Sequence, residues 1–277
     1  MKTDLPRQAV DPARMPTFFI PHGGGPCFFM EWNPADTWTR TAAFLQSVTE
    51  TLPRTPSALL VISAHWAESV FTVTGTAKPD LIYDYSGFPE HTYRLRYDAP
   101  GDPALANRIR VLLAAAGVPA AENPRRGFDH GVFIPMKVAF PSADIPVVQL
   151  SIRADFDPAA HLAAGRALAA LRDEDVLIIG SGMSFHNMRG FGDPRLGPPS
   201  DVFDRWLTAA VELEPDGRNR ALAAWADAPQ ARRCHPPGAE EHLIPLMVAA
   251  GAADLGVGRR VFSERIMETA ISGYRFD

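Results

Sequence analysis

The stretch ALLVISAHW, residues 58–66, decides how the rest of the chain is read. It opens on an unbroken apolar run with no alternation of apolar and polar positions, which suits a strand covered on both faces. The run ends in a histidine beside a tryptophan. Three further runs follow the same pattern: TFFI (17–20) leads through Pro21 to His22, IPVVQLSI spans 145–152, and DVLIIGSG (175–182) leads to His186 after what reads as a Gly-Ser-Gly turn. Between them lie helical segments. PALANRIRVLLAAAG (103–117) has Pro103 at its start and Gly117 at its stop, and PAAHLAAGRALAALRDE (158–174) carries apolar residues at helical spacing. Strands that alternate with helices predict an α/β fold with a mostly parallel central sheet flanked by helices. Ligands of such sheets collect at the C-terminal ends of strands, where His22, His65 and His186 fall. The expectation is therefore one catalytic domain over residues 1–277 with its site at that edge, and residues 1–15 as a flexible or peripheral N-terminal segment.

Composition narrows the function. A chain of 277 residues that is 46% hydrophobic buries a sizeable core. Its 27 basic and 32 acidic side chains give a formal charge of −5, and no Lys/Arg-rich run tracks a phosphate backbone, so no nucleic-acid partner is expected. No apolar segment reaches membrane-spanning length and residues 1–16 lack the apolar centre of a secretory signal, which predicts a cytoplasmic protein with no membrane partner. The two cysteines, Cys27 and Cys234, are too few for a disulfide framework, and Cys27 stands close to His22 as a thiol of interest. The segment 190–201 is rich in Gly and Pro and reads as a surface loop before a helix that begins near Val202.

The eight histidines hold most of the chemistry. His65 after a strand is by itself compatible with a hydrogen-bonded structural role, and the glycines of HGGGP (22–26) with a tight turn. Taken together, two imidazoles at the ends of separate strands supply a divalent ion with rigidly placed ligands, and three glycines beside His22 clear an approach for a flat substrate. RGFDHGVFIPM (126–136) sets Asp129 at a helix N-cap and His130 near the pocket as a hydrogen-bond donor. His186, followed by Asn187, can carry a proton near working pH or bind metal. EEHLIPLMVAAGA (240–252) reads as a helix with Glu240, Glu241 and His242 in its first turn; the acids suit the helix dipole, and a neutral, metal-bound imidazole avoids its cost to a cation. His91 and His161 receive no role. No dinucleotide or phosphate-loop spacing occurs, and Ser181 and Ser184 lack the GxSxG elbow of a serine hydrolase.

Read in order, IPHGGGP, VISAHW, YDYSGFPEHTYRLRYDAPGDPALANRI, RGFDHGVFIPM, ADIPVVQLSI, IGSGMSFHN and EEHLIPLMVAAGA resemble the LigB-type class III extradiol dioxygenases over about residues 16–253, and most closely their dihydroxyphenylalanine group. The chain departs from that group at HGGGPC, in place of a shorter HGSP. The resemblance implies a non-haem iron(II) enzyme that opens a catechol or aminophenol ring with O2, and a site that zinc can occupy in isolated protein. It implies His22 and His65 as metal ligands and His242 as the third, with Glu241 as the rival position. His186 matches the proposed acid/base and His130 a group near bound substrate or oxygen; Tyr93 is a further candidate contact. The implied partners are a small aromatic diol and O2, with a homo-oligomer possible. Two other readings fit the same residues: a zinc hydrolase on three histidines, and a non-catalytic binding protein on this scaffold.

Overall fold

A computed structural model describes residues 14–277. Most of the expected N-terminal segment, 1–15, lies outside the described residues; of its last two, Met15 is fully buried and Arg14 pairs with Asp173. Eight strands form one sheet: β1 (Thr17–Pro21), β2 (Ala58–Glu68), β3 (Phe71–Thr74), β4 (Ala120–Asn123), β5 (Val147–Arg153), β6 (Val176–Gly182), β7 (Gly258–Ile266) and β8 (Thr269–Phe276), in the order β4-β3-β5-β2-β6-β1-β8-β7. The four central strands, β5-β2-β6-β1, are all parallel, while β8 and β7 add an antiparallel edge. The helices are α1 (Thr39–Ser47), α2 (Pro103–Ala115), α3 (His130–Ala139), α4 (Pro158–Leu168), α5 (Gly197–Val211), α6 (Pro215–Ala223), α7 (Ala231–Cys234) and α8 (Ile244–Ala252). The result is the single α/β domain with a largely parallel sheet that the apolar runs predict. No helix among the described residues is long and apolar enough to cross a membrane.

The central strand shows why its sequence lacks alternation. Leu60 and Ile62 pack on one face with Leu105 and Ile109 of α2, Leu168 of α4 and Val248 of α8, whereas Leu59 and Val61 pack on the other with Val132 and Met136 of α3. All four β2 residues are fully buried. Full burial stabilises each such side chain by about 1.5–3 kcal/mol, so both faces of the strand hold the sheet between its two helical layers. Capping follows the sequence as well: the Asp102 side chain accepts from the Leu105 N–H at the start of α2, and Asp157 from the Ala159 N–H at the start of α4.

Three local expectations change. The helix expected near Val202 begins at Gly197, because Pro198 and Pro199 fall in its first turn, where a missing N–H costs nothing. Residues 180–182 do not form a turn; they continue β6, paired with β1 through Pro21–Gly182. Glycine is required at 182 by close approach, since a Cβ there would lie 2.0 Å from the carbonyl oxygen of His242. Finally, α8 begins at Ile244, with Pro245 in its first turn, so Glu240–His242 precede the helix and the dipole argument for them lapses.

Candidate metal centre

Five separate segments of the chain bring five imidazoles to one edge of the sheet. His22 follows β1 directly, its N–H donating to the Gly182 carbonyl at 3.1 Å. His65 lies inside β2 rather than after it, at an irregularity where pairing with β5 breaks off at Ile62 and resumes at Ala67. That break frees His65 from the ladder, and its N–H donates to Ser63 Oγ at 3.2 Å. His130 is the first residue of α3, while His186 and His242 sit in the connections after β6 and before α8, tied by His186 N–H to Cys234 O and by Met183 N–H to His242 O, both at 3.0 Å.

The hydrogen bonds fix how the rings face. Ser181 Oγ–H donates to the Gly131 carbonyl, so its oxygen is left to accept from His22 Nδ1–H at 3.1 Å. His130 Nδ1–H donates to Asp84 Oδ1 at 2.8 Å, and the His130 backbone N–H donates to the same oxygen at 2.9 Å. His242 Nδ1–H donates to Glu241 Oε1 at 2.9 Å. His65 Nδ1 stands 3.7 Å from Asp84 Oδ2 and His186 Nδ1 3.3 Å from Glu241 Oε1. At His22, His130 and His242 a hydrogen bond holds the proton on Nδ1 and leaves Nε2 with the lone pair, while at His65 and His186 Nδ1 faces a carboxylate without a hydrogen bond. This is the arrangement by which outer groups orient metal-binding histidines.

The donor set suits a divalent cation. His22, His65 and His242 each offer a ligand atom within 4.8 Å of the other two. His22 Nε2 and His65 Nε2 are 3.3 Å apart, and two nitrogens bound to one tetrahedral ion at ordinary bond lengths lie about 3.4 Å apart. With its proton held on Nδ1, His22 turns a lone pair at Nε2 towards His65 Nε2, a position that a shared cation can occupy in place of a proton. Two overlapping sets of the same tightness exist, His65–Asp84–His130 and His186–Glu241–His242. Electrostatics favour neutral rings. Burial, reinforced by neighbouring imidazoles, holds His22 and His242 well below the usual histidine range, and burial lowers His65 to about 3 against the opposing pull of Asp84. At Asp84 and Glu241 burial is outweighed by bonds from the histidines, so both carboxyls are held below their usual range. Neutral imidazoles flanked by carboxylates are ready to take up a metal at neutral pH.

Other candidates fall elsewhere. Asp129 occupies the N-cap position, but its carboxylate does not cap; it accepts from Ser63 Oγ at 2.6 Å, from Gln149 and from Arg126, and burial raises its pKa. It braces Ser63, which in turn holds His65. Cys27 is fully enclosed and its thiol is pushed far up by burial, so it stays protonated. Gly23 and Gly25 have φ of +83° and +55°, and a Cβ at either would strike Cys27 Sγ or the Phe88 ring. The glycines of HGGG thus answer first to a tight turn and close packing. Tyr93 packs on Tyr83 and Tyr85 and its hydroxyl accepts from the Phe88 N–H; it is not among the residues that line the cavity. Sequence reasoning missed Asp84 and the orienting role of Ser181.

Against the five imidazoles lies a cavity of about 320 Å³, walled by Trp32, Trp38, Tyr85, Phe88, Met183 and Phe191 among others. The chain is similar to several known proteins. The family described as the catalytic LigB subunit of aromatic ring-opening dioxygenase matches residues 16–276. Similar curated proteins include the dioxygenase tasH of Hapsidospora irregularis, 38% identical over 86% of this chain and 78% of its own length. The 4,5-DOPA dioxygenase extradiol of Beta vulgaris is 40% identical over 86% of both chains. Among solved structures, an uncharacterized protein of Escherichia coli K12, JW3007, superposes with a TM-score of 0.75 at 30% identity, covering 95% of this chain and all of its own.

Proposed function

The chain belongs to the LigB family of aromatic ring-opening dioxygenases, and from that premise we propose that it is an iron(II)-dependent extradiol dioxygenase acting on a catechol-type or aminophenol ring with O2. The observation that carries the reading is the gathering of His22, His65 and His242 within ligand distance of one another, with Nδ1 of His22 and His242 hydrogen-bonded to oxygens and their Nε2 atoms left to bind. His22, His65 and His242 hold the metal in this assignment. His242 is preferred to Glu241 because Glu241 Oε1 already accepts from His242 Nδ1, as an orienting carboxylate does. Iron(II), when bound, supplies the electronic link between an electron-rich diol and O2.

The remaining groups handle protons and position. His186, mostly buried and beside Glu241, takes a hydroxyl proton of the substrate at Nε2 and returns it as the ring opens, a role worth roughly 10²–10⁴ in rate. His130, locked by two bonds to Asp84, offers Nε2 to the oxygen atoms of the substrate. The aromatic residues of the wall offer an apolar surface to the ring. Reconstitution with iron(II) under anaerobic conditions, followed by oxygen uptake with a panel of catechols and aminophenols, tests the assignment. Stoichiometric uptake with a yellow semialdehyde product is expected; hydrolytic activity with zinc and no oxygen uptake with iron would refute it.

A further inference from the structure

The wall of the cavity defines the part of the substrate that the ring-opening chemistry leaves open. Beyond the imidazoles it is lined mainly by Trp32, Trp38, Phe88, Met183 and Phe191, with Tyr85, Ser86 and the glycines 23–25 as its other wall, and among the described residues no Lys, Arg, Asp or Glu lines it. The two lining residues Met188 and Met267 are 72% and 39% exposed, so the apolar lining continues towards solvent. Of the guanidinium groups near the site, Arg189 beside Met188 is exposed outside the cavity, and two others are committed. Arg126 pairs with Asp129 and lies over Trp66, and Arg232 pairs with Glu240 and lies over Trp225. A carboxylate carried into this space would lose its water and meet no cationic side chain.

We propose that the substrate is a catechol whose remaining ring substituent is uncharged and apolar, an alkyl or aryl group lodged between the tryptophans and Phe191. The inference rests on the ring-opening reading for the diol and on the cavity wall for the substituent. The unbranched thioethers of Met183, Met188 and Met267 adapt to substituents of different length, so selection acts on charge more than on shape. The amino-acid group of 3,4-dihydroxyphenylalanine, which bears a carboxylate, fits this wall poorly.

Two measurements on the iron(II)-loaded protein test this: calorimetric binding without oxygen, and oxygen-uptake kcat/KM. The probes are 4-methyl-, 4-ethyl-, 4-propyl- and 4-butylcatechol, set against 3-(3,4-dihydroxyphenyl)propanoate and 3,4-dihydroxyphenylalanine. Binding should tighten about two- to fourfold per added methylene. The propanoate should bind at least about tenfold more weakly than the alkylcatechol of equal length. Met188→Arg should narrow that gap by strengthening propanoate binding. Equal or tighter binding of the carboxylates to the unsubstituted protein would overturn the inference while leaving ring opening intact. Tighter binding of the alkyl series with no oxygen uptake would overturn ring opening and uphold the inference. Failure of both series to bind would overturn both.

Discussion

Replacing Ser181 with alanine removes one hydroxyl from the least accessible part of the site and tests how the protein sets a tautomer. Ser181 is fully buried, donates to the Gly131 carbonyl and accepts from His22 Nδ1–H. Without it both partners are buried and unpaired, each at a cost of about 1–3 kcal/mol. His22 escapes part of that cost by moving its proton to Nε2, which removes the lone pair that faces His65. Metal affinity should therefore fall about 10–100-fold, the range found when an orienting partner of a ligand histidine is lost. Ser200 is the control. It is buried in the same way, donates to Gly197 O at 2.7 Å and accepts from Ala270 N–H at 2.9 Å, yet touches no imidazole. Competition of each variant with a chelator of known iron(II) affinity, alongside thermal unfolding of the metal-free forms, separates the two effects. Both variants should lose stability and only Ser181→Ala should lose metal. If Ser181→Ala held metal within twofold of the parent while Ser200→Ala lost comparable stability, the tautomer argument would be wrong.

Other consequences follow from the same geometry. His186→Ala should keep most of its metal and lose about 10²–10⁴ in turnover, seen by parallel metal analysis and oxygen uptake; near-normal turnover would remove its proton-transfer role. Glu241→Gln preserves an acceptor for His242 Nδ1–H and should cost about tenfold in metal affinity, whereas His242→Ala should abolish tight binding; the reverse order would make Glu241 the ligand. Acid should act through His161, whose Nδ1–H donates to Asp157 O at 2.6 Å and whose Nε2 accepts the Arg153 N–H at 2.9 Å. Burial lowers its pKa from 6.5 to about 4, so the neutral ring stabilises the fold fully above 6.5. As pH falls from 6.5 towards 4 the unfolded chain gains a proton that the native state refuses, and about 3 kcal/mol is lost. Denaturant titrations across that interval should show a slope about one proton shallower in His161→Gln.

The sequence was most legible where one force dominates. Continuous apolar runs announced β1, β2, β5 and β6 because both faces of the central strands are buried, and histidines at the ends of such runs fell at the sheet edge for the same topological reason. Legibility failed where a contact comes from far along the chain. Gly182 looks like a turn residue locally, but it is glycine because the His242 carbonyl passes against it. The helix-dipole argument for His242 fails, because the helix starts two residues later, whereas the family resemblance points to the same residue without it, and His242 lies in the cluster. Asp84 lies in a connection without regular structure, and only the folded chain shows one of its oxygens taking both donors of His130. Ser181 was considered only as a nucleophile, a role its buried, doubly bonded hydroxyl does not suit.

The account turns on which nitrogens meet at one ion, since three overlapping groups of side chains are close enough to hold a metal. A crystal structure of the iron(II)-loaded protein, with anomalous scattering at the iron edge, answers this directly. One ion bonded through Nε2 of His22, His65 and His242, with Asp84 and Glu241 bonded only to the rings, is the predicted result. An ion held by Asp84 with His130, or by Glu241 with His186, would contradict it.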